Sequence, residues 1–389
     1  MNGAVVRIAT PPPLSLYVHL PWCIRKCPYC DFNSHELQGD LPEARYIHTL
    51  IADLESALPW VWGRQVRSVF FGGGTPSLLS ERGMDECLTA IRARLLLAPD
   101  AEITLEANPG TFEGARFGAY RRAGINRLSI GVQSFHDPHL KALGRIHDAD
   151  AARRAVDIAA HHFDNFNLDL MYGLPGQTLD QALADIDTAL SFNPTHLSSY
   201  QLTLEPNTPF YHDPPALPDH DLAAQMGETI LERMTQGGFG HYETSAFASP
   251  GFRCTHNLNY WTFGDYLGIG AGAHSKLSFQ DKIVRQMRYR HPEAYMKAMA
   301  RGSAVQETHE VTPEAIPFEF MMNALRLCDG VSAALYEQRT GVPLLGIVPI
   351  LDRVEALGLI TRDWQWVRPT LRGQQFLNEL LQHFLPEGT

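Results

Sequence analysis

Three cysteines near the start of the chain form the most informative chemical pattern in the sequence. Cys23, Cys27 and Cys30 have the spacing C-x3-C-x2-C and directly follow a short apolar run. Thiolates are soft ligands that suit iron–sulfur clusters and zinc. Three thiolates can hold three irons of a cubane cluster, which leaves the fourth iron open to a small molecule. The array therefore predicts a [4Fe–4S] site with one exchangeable position.

A zinc site is the main alternative for this array. Structural zinc takes four ligands, and His19 or His35 could supply the fourth. The usual spacings of zinc-binding cysteines differ from the one found here, which favours the cluster. The other cysteines are scattered, and we interpret Cys87 and Cys328 as packing residues.

An alternation of strand and helix patterns must position these ligands. Apolar, β-branched and aromatic runs predict strands at 15–20, 66–71, 102–106, 126–130, 165–170 and 196–200. Amphipathic segments between them predict helices at about 41–58, 80–96, 112–123, 137–160 and 178–191. Such alternation is typical of βαβ units with a parallel sheet. Six strands in one run predict an α/β fold with a partial (β/α)6 barrel rather than the full eightfold closure.

The regular alternation ends after the sixth strand. Five prolines between positions 206 and 218 predict a loop, which precedes a helix at about 220–237 and a β-like stretch at 240–247. From residue 312 onward the pattern is helical, with one hairpin predicted at 359–367. We therefore divide the chain into an N-terminal extension (1–14), a barrel (15–245), a connecting region (246–311) and a smaller, mainly helical, winged-helix-like domain (312–389).

The composition argues against several classes of protein. The chain has 389 residues, of which 44% are hydrophobic and 19% charged, as in ordinary globular proteins. A net charge of −11 argues against a nucleic-acid partner. Six cysteines are too few for a secreted disulfide scaffold, the first residues lack a signal-peptide pattern, and no run approaches the ~20 apolar residues of a membrane span. We expect a cytoplasmic protein without membrane insertion.

The segment YVHLPWCIRKCPYCDF resembles the radical SAM superfamily. More narrowly, it is similar to the branch that contains oxygen-independent coproporphyrinogen III dehydrogenase and the HemW-type heme chaperones. The resemblance extends from Tyr17 into the C-terminal domain. It implies that Cys23, Cys27 and Cys30 hold a [4Fe–4S] cluster whose open iron binds S-adenosylmethionine.

The same resemblance implies a set of contacts to S-adenosylmethionine. The glycine turn after the second strand (Gly73, Gly74 and Thr75) would contact the methionine amino group, and Glu106 would accept hydrogen bonds from the ribose. Arg145 could pair with the methionine carboxylate through a charge-assisted fork. Taken alone, each of these residues also has an ordinary structural interpretation. The remaining contacts implied by the family pattern are Tyr17, Gln133 and Asp169, with His274 as a further candidate. Tyr29, between the last two cysteines, could be either a core packing residue or a flat wall beside the adenine.

A second motif points to heme. The segment His256-Asn-Leu-Asn-Tyr260-Trp261 resembles the HNxxYW motif of HemW-type heme chaperones. A neutral imidazole is a good axial ligand for heme iron, and Tyr260 and Trp261 could offer a flat surface to a porphyrin. Without the motif, His256 would be interpreted as a hydrogen-bonded core residue. Cys254 could also reach heme iron, although a small buried hydrophobe is its simpler role.

Two functions follow from the resemblance. The first is a heme chaperone that delivers heme to acceptor hemoproteins, among them membrane respiratory enzymes, with a homodimer as a further expectation. The second is oxygen-independent oxidation of coproporphyrinogen III. That enzyme has another cysteine two positions after the third, where this chain has Phe32, which favours the chaperone. A radical enzyme with an unrelated substrate is a third option, because many chemistries share this fold.

Overall fold

A computed structural model describes residues 6–110 and 116–386, together with the backbone of 111–115. The strands, in chain order, are β1 (Leu14–Leu20), β2 (Trp22–Cys23), β3 (His35–Glu36), β4 (Gln65–Gly73), β5 (Leu96–Ala107), β6 (Arg127–Gln133), β7 (Phe166–Tyr172), β8 (His196–Gln201), β9 (Gly240–Glu243), β10 (Ala246–Ala248), β11 (Asp265–Ile269), β12 (His274–Ser278), β13 (Ile283–Arg288), β14 (Val305–Glu310), β15 (Val331–Ser332), β16 (Ile360–Arg362) and β17 (Trp366–Pro369).

The helices alternate with these strands and then dominate the last part of the chain. They are α1 (Glu43–Val61), α2 (Glu81–Arg94), α3 (Thr111–Ala123), α4 (Asp137–Ala142), α5 (Ala149–His162), α6 (Leu179–Ser191), α7 (Pro209–His212), α8 (His220–Gln236), α9 (Thr255–Trp261), α10 (Pro292–Met299), α11 (Ile316–Ala324), α12 (Ala333–Thr340), α13 (Val348–Ala356), α14 (Leu371–Gln375) and α15 (Leu377–Gln382). None of the described helices has the length and apolar character needed to cross a membrane.

A twelve-stranded sheet forms the larger part of the molecule. Its strand order is β14-β13-β12-β11-β1-β4-β5-β6-β7-β8-β10-β9. The six predicted strands, β1 and β4 to β8, stand side by side in chain order and are parallel. This arrangement confirms the predicted α/β class and the partial barrel. The carboxyl ends of parallel strands meet at one edge, so the loops that follow them are brought together.

The sheet continues beyond the six predicted strands at both edges. On one side β10 pairs with β8, and β9 pairs with β10 as the edge strand. On the other side β11, parallel to β1, leads into the antiparallel strands β12 to β14. The stretch 246–311, which the sequence suggested as a connection, therefore contributes five strands to the main sheet. Its aromatic and glycine-rich composition gave no clear period-two pattern.

One predicted helix, 137–160, is two helices in the structure. α4 ends at Ala142 and α5 begins at Ala149. Gly144 has a φ of 69° between them, and a side chain there would come 2.8 Å from Pro28. Asp148 then caps α5 by accepting a hydrogen bond from the backbone N–H of Ala151 at 2.7 Å. The break places Arg145 beside the cysteine loop.

The C-terminal unit has its own hydrophobic core. Helices α11 to α15 pack with a small sheet of order β15-β17-β16, and the predicted hairpin forms β16 and β17. Val6 and Ile8, from the predicted N-terminal extension, are buried in this same core. Backbone hydrogen bonds fix them there, from Arg7 N–H to the carbonyl of Gly341 (3.0 Å) and from Ile8 N–H to that of Gln280 (2.9 Å).

Candidate functional site

A cavity of about 450 Å³ extends into the barrel from the carboxyl ends of the parallel strands. All three cysteines of the array line it. It also contains most of the residues that were predicted to contact S-adenosylmethionine. These are Tyr29, Gly73, Gly74, Thr75, Glu106, Gln133, Arg145 and Asp169.

The cysteine loop is folded tightly at the mouth of this cavity. The backbone N–H of Cys30 donates to the carbonyl of Cys27 at 3.2 Å. Lys26 draws the loop together, because its Nζ donates to the carbonyls of Phe32 and Ser34 at 3.1 Å each. Burial raises the thiol pKa of both Cys23 and Cys30 above its ordinary value. Free thiolates are therefore disfavoured here, so ionisation needs the compensating charge of bound metal.

The surroundings fit a cluster held by three thiolates better than a zinc ion. The Nδ1 of His19 lies 3.1 Å from the hydroxyl of Tyr17, and its Nε2 lies 2.9 Å from the carbonyl of Asn33. His35 does not line the cavity and packs against His291 instead. Neither histidine is therefore placed to complete a zinc site with the three cysteines.

The glycine turn after β4 lies directly against the cysteine loop. Thr75 N–H donates to the carbonyl of Trp22 at 2.7 Å. A Cβ at Gly74 would come 2.5 Å from that same carbonyl oxygen, and one at Gly73, whose φ is 115°, would come 2.6 Å from the ring of His19. Only glycine fits at these two positions, against the backbone of Trp22 and the ring of His19.

Two carboxyl groups face each other across the cavity. Glu106 accepts a hydrogen bond from Gly73 N–H at 3.2 Å, while Asp169 accepts from Ser129 Oγ at 2.9 Å and Asn167 Nδ2 at 2.8 Å. Burial, together with the charge of Asp169, raises the pKa of Glu106 to about 8. Burial also raises the pKa of Asp169. Carboxyl oxygens in this setting suit the hydroxyl donors of a ribose.

Arg145 connects three loops of the site. Its Nη2 donates to Asn108 Oδ1 at 2.6 Å and to the carbonyl of Gly131 at 2.7 Å, and its Nη1 lies 3.6 Å from Cys27 Sγ. Asn108 in turn donates to Thr75 Oγ1 at 2.9 Å. Asn108 was not among the predicted contacts, although its place two residues after Glu106, in the same strand-end loop, was a usable signal.

Gln133 and Tyr29 complete the walls, whereas Tyr17 and His274 lie outside the lining. Gln133 has a φ of 68°, a conformation that non-glycine residues rarely adopt and that is common at binding sites. Tyr29 packs towards Phe210. The Tyr17 ring lies behind the cavity wall against Phe70. His274 is exposed at the start of β12.

The HNxxYW segment forms helix α9 beneath the barrel. His256 is 1% exposed, with its Nδ1 2.9 Å from Ser68 Oγ and its Nε2 3.3 Å from the Tyr260 hydroxyl. Burial lowers the pKa of His256 to about 3, so its imidazole is neutral. Trp261 lies under the guanidinium of Arg326, 4.4 Å from ring centre to Cζ. Of the whole motif, Asn257 lines the cavity.

Residues 17–189 match the radical SAM superfamily, and residues 311–376 match the HemN C-terminal domain. The heme chaperone HemW of Escherichia coli (strain K12) is 50% identical over 378 residues, which cover 97% of this chain and 99% of that one. The chain belongs to the HemW family. The HemW of Bacillus subtilis (strain 168) is 35% identical, with 96% of this chain and 99% of that one covered.

The fold of this HemW-family member is shared with a solved enzyme structure. Coproporphyrinogen III oxidase (HemN) from Escherichia coli superposes with a TM-score of 0.82 at 22% identity, covering 96% of this chain and 90% of that one. Membership of the radical SAM superfamily implies a [4Fe–4S] cluster and S-adenosylmethionine, and the cavity contains the donor groups predicted for both.

Proposed function

We propose that this protein is a heme chaperone that binds heme and delivers it to acceptor hemoproteins, while carrying a [4Fe–4S] cluster and S-adenosylmethionine. The observation that carries the proposal is the end-to-end similarity, at 50% identity, to a protein named as a heme chaperone. By the same resemblance, the acceptors include membrane respiratory enzymes, and a homodimer is the expected assembly.

The proposed cluster ligands are Cys23, Cys27 and Cys30. When bound, the cluster and S-adenosylmethionine supply an electron-transfer centre beside a cleavable C–S bond. Replacing any of the three cysteines by serine should abolish the broad visible absorption of the reconstituted cluster. Cys328→Ser is the matched control, since this thiol lies outside the cavity. If one of the three variants kept the cluster at full occupancy, the cysteine replaced in that variant would not be a ligand.

The proposed cofactor-binding residues divide by chemistry. Arg145 holds the methionine carboxylate through its planar fork, Glu106 and Asp169 accept from ribose hydroxyls, and the Gly73–Thr75 turn meets the amino group. Tyr29 and Gln133 form walls beside the adenine. Tyr17 supports this site from behind, because its hydroxyl is 3.1 Å from His19, which packs under Gly73.

The proposed heme ligand is His256, with Tyr260 and Trp261 beside the porphyrin. The neutral imidazole suits iron ligation. Both ring nitrogens are engaged, so ligation through Nε2 requires the Tyr260 hydroxyl to move away. An anaerobic heme titration of His256→Ala should show weakened or altered ligation, whereas His48→Ala, at an exposed position on α1, should bind heme normally. Wild-type titration behaviour in His256→Ala would remove His256 from the site.

Delivery itself is the central test. Heme-loaded protein is mixed with an apo-hemoprotein, and formation of the holo-acceptor is followed by absorption. The expected result is faster or more complete loading than with the same concentration of free heme. Loading no better than with free heme would overturn the chaperone proposal.

Oxidation of coproporphyrinogen III is the competing candidate, favoured by the HemN-like fold. Phe32, where that enzyme has its additional cysteine, argues against it. Its side chain is 61% exposed at the cavity mouth and offers no thiol. Anaerobic incubation with coproporphyrinogen III, S-adenosylmethionine and a reductant distinguishes the two functions. Many turnovers of protoporphyrinogen per protein would favour the enzyme.

A further inference from the structure

Arg127 is a buried cation without a hydrogen-bonding partner. It begins β6, is 2% exposed and lines the inner end of the cavity. Its Nε is fully buried and unsatisfied, and no hydrogen bond or close ion pair joins its guanidinium to any other residue in the described part of the chain. Buried guanidinium donors without hydrogen-bond acceptors are costly to maintain, so such a group in a cavity wall points to a ligand that supplies acceptor atoms and negative charge.

The nearby carboxylates are already satisfied by other donors. Glu102 caps the start of α9, where it accepts from the backbone N–H groups of Thr255 (3.0 Å) and His256 (3.1 Å). Asp169 accepts from Ser129 and Asn167. Glu102 and Asp169 attract the guanidinium of Arg127 at longer range without a hydrogen bond. The donors of Arg127 therefore stay available to the cavity.

The other polar groups around Arg127 are tied to one another. His196 lies 2.7 Å from Asn167 Oδ1 through Nδ1 and 2.8 Å from the Tyr242 hydroxyl through Nε2. Ser198 Oγ also donates to Asn167 Oδ1, at 3.0 Å. We call Arg127, Asn167, His196 and Ser198 the cavity floor. Because Asn167, His196 and Ser198 are all hydrogen-bonded, Arg127 is the residue of the cavity floor whose side-chain donors are unpaired.

The cavity floor lies well below the group that Arg145 would hold. Arg127, Ser129 and Gly131 share one face of β6, since alternate residues point the same way. A strand rises roughly 3.3 Å per residue, so the Cα of Arg127 lies about 13 Å deeper along β6 than that of Gly131, whose carbonyl contacts Arg145. The two arginines are therefore anchored at different depths of the cavity.

We propose that Arg127 is the anion-binding residue of a second ligand subsite on the cavity floor, and that it binds a carboxylate. The planar guanidinium fork matches a carboxylate, and the nearby acids Glu102 and Asp169 disfavour a more highly charged group such as phosphate. A porphyrin propionate is one source of this carboxylate, in which case the subsite deepens the proposed heme function. A small free carboxylic acid is the other.

The test uses the full-length, cluster-reconstituted protein under anaerobic conditions. Three variants are compared with wild type. Arg127→Gln removes the charge and Arg127→Lys keeps it. Arg154→Gln is the control, because it removes one positive charge at an exposed position. Heme and heme dimethyl ester are titrated by absorption, and succinate is scored by the rise it causes in melting temperature. Circular dichroism and S-adenosylmethionine binding check that each variant is folded.

The expected result is that Arg127→Gln weakens heme binding at least tenfold and leaves the ester unchanged, with Arg127→Lys intermediate. If heme binding does not depend on Arg127 but stabilisation by succinate does, the subsite exists and its ligand is a small carboxylate. This conclusion would hold even if heme delivery had failed. Binding of every probe as in wild type would overturn the proposal. Equal loss of heme, ester and S-adenosylmethionine would also overturn it, because Arg127 would then act only as a structural counter-charge.

Discussion

Nη1 of Arg145 lies 3.6 Å from Sγ of Cys27, so the principal cation of the cavity touches a predicted cluster ligand. The same guanidinium reaches Asn108, which reaches Thr75. A movement of the cysteine loop is thereby coupled to the loops after β4 and β5. The two predicted cofactor sites thus share one side chain.

Arg145→Lys should weaken S-adenosylmethionine binding by about tenfold or more while the cluster still assembles, since an ammonium cannot reproduce the planar fork. Equilibrium binding of S-adenosylmethionine to the reconstituted protein measures the loss. Arg121→Lys, at an exposed position on α3, should bind like wild type. Undiminished binding in Arg145→Lys would exclude the carboxylate contact.

Glu106 should make the cofactor-free protein less stable as the pH rises. Its pKa is raised from 4.5 to about 8, so the folded chain binds this proton more tightly than the unfolded chain. The associated stability is complete below pH 4.5 and is lost as the pH rises through about 8.

Glu106→Gln removes this dependence. At pH 8 the variant should exceed wild type in free energy of unfolding by about 1–3 kcal/mol, and the difference should shrink towards pH 5. Urea unfolding at several pH values measures it, with the exposed Glu232→Gln as control. A difference that does not change with pH would show that Glu106 is not protonated in the folded protein.

The backbone conformation of Gln133 should lower the stability of the folded protein. At a φ of 68°, alanine keeps the strain, whereas glycine relieves it. Gln133→Gly is therefore expected to be more stable than Gln133→Ala by about 1 kcal/mol, with S-adenosylmethionine binding weakened in both. Thermal unfolding and cofactor titration of the pair separate the two effects. Equal stability would mean that the left-handed conformation carries no strain.

Tyr260→Phe tests whether His256 is available to heme. The substitution removes the hydroxyl that lies 3.3 Å from His256 Nε2, and a typical hydrogen bond contributes about 0.5–1.5 kcal/mol. If His256 ligates heme, the affinity for heme should rise about two- to tenfold in this variant. If the histidine only packs in the core, the variant should lose some stability and bind heme as wild type does.

The sequence predicted the parts of the molecule whose signal is local. Six strands appeared as separate apolar runs, and the cysteine spacing is contained within eight residues. The break between α4 and α5 was missed because a single glycine inside a helical pattern is a weak signal. The helix breaks there because Gly144 approaches Pro28, a residue distant in the chain, too closely for a side chain to fit.

The deeper part of the site could not be predicted for a similar reason. Arg127 looks like an ordinary charged residue at a strand start, and its isolation depends on which donors saturate Glu102 and Asp169. The burial of His256 under Phe70 likewise arises from helix α9 packing against β4. The contacts of Glu102 with α9 and of Phe70 with His256 join residues more than 150 positions apart, and neither segment alone has a pattern that predicts them.

The burial of Val6 and Ile8 in the C-terminal core has a consequence for biosynthesis. Val6 and Ile8 are synthesised before the barrel, whereas the helices that cover them are synthesised after it. The barrel strands can therefore assemble while this short segment is still uncovered. The smaller unit combines a segment that precedes the barrel with helices that follow it, and cutting at residue 311 would release it without one wall of its interior.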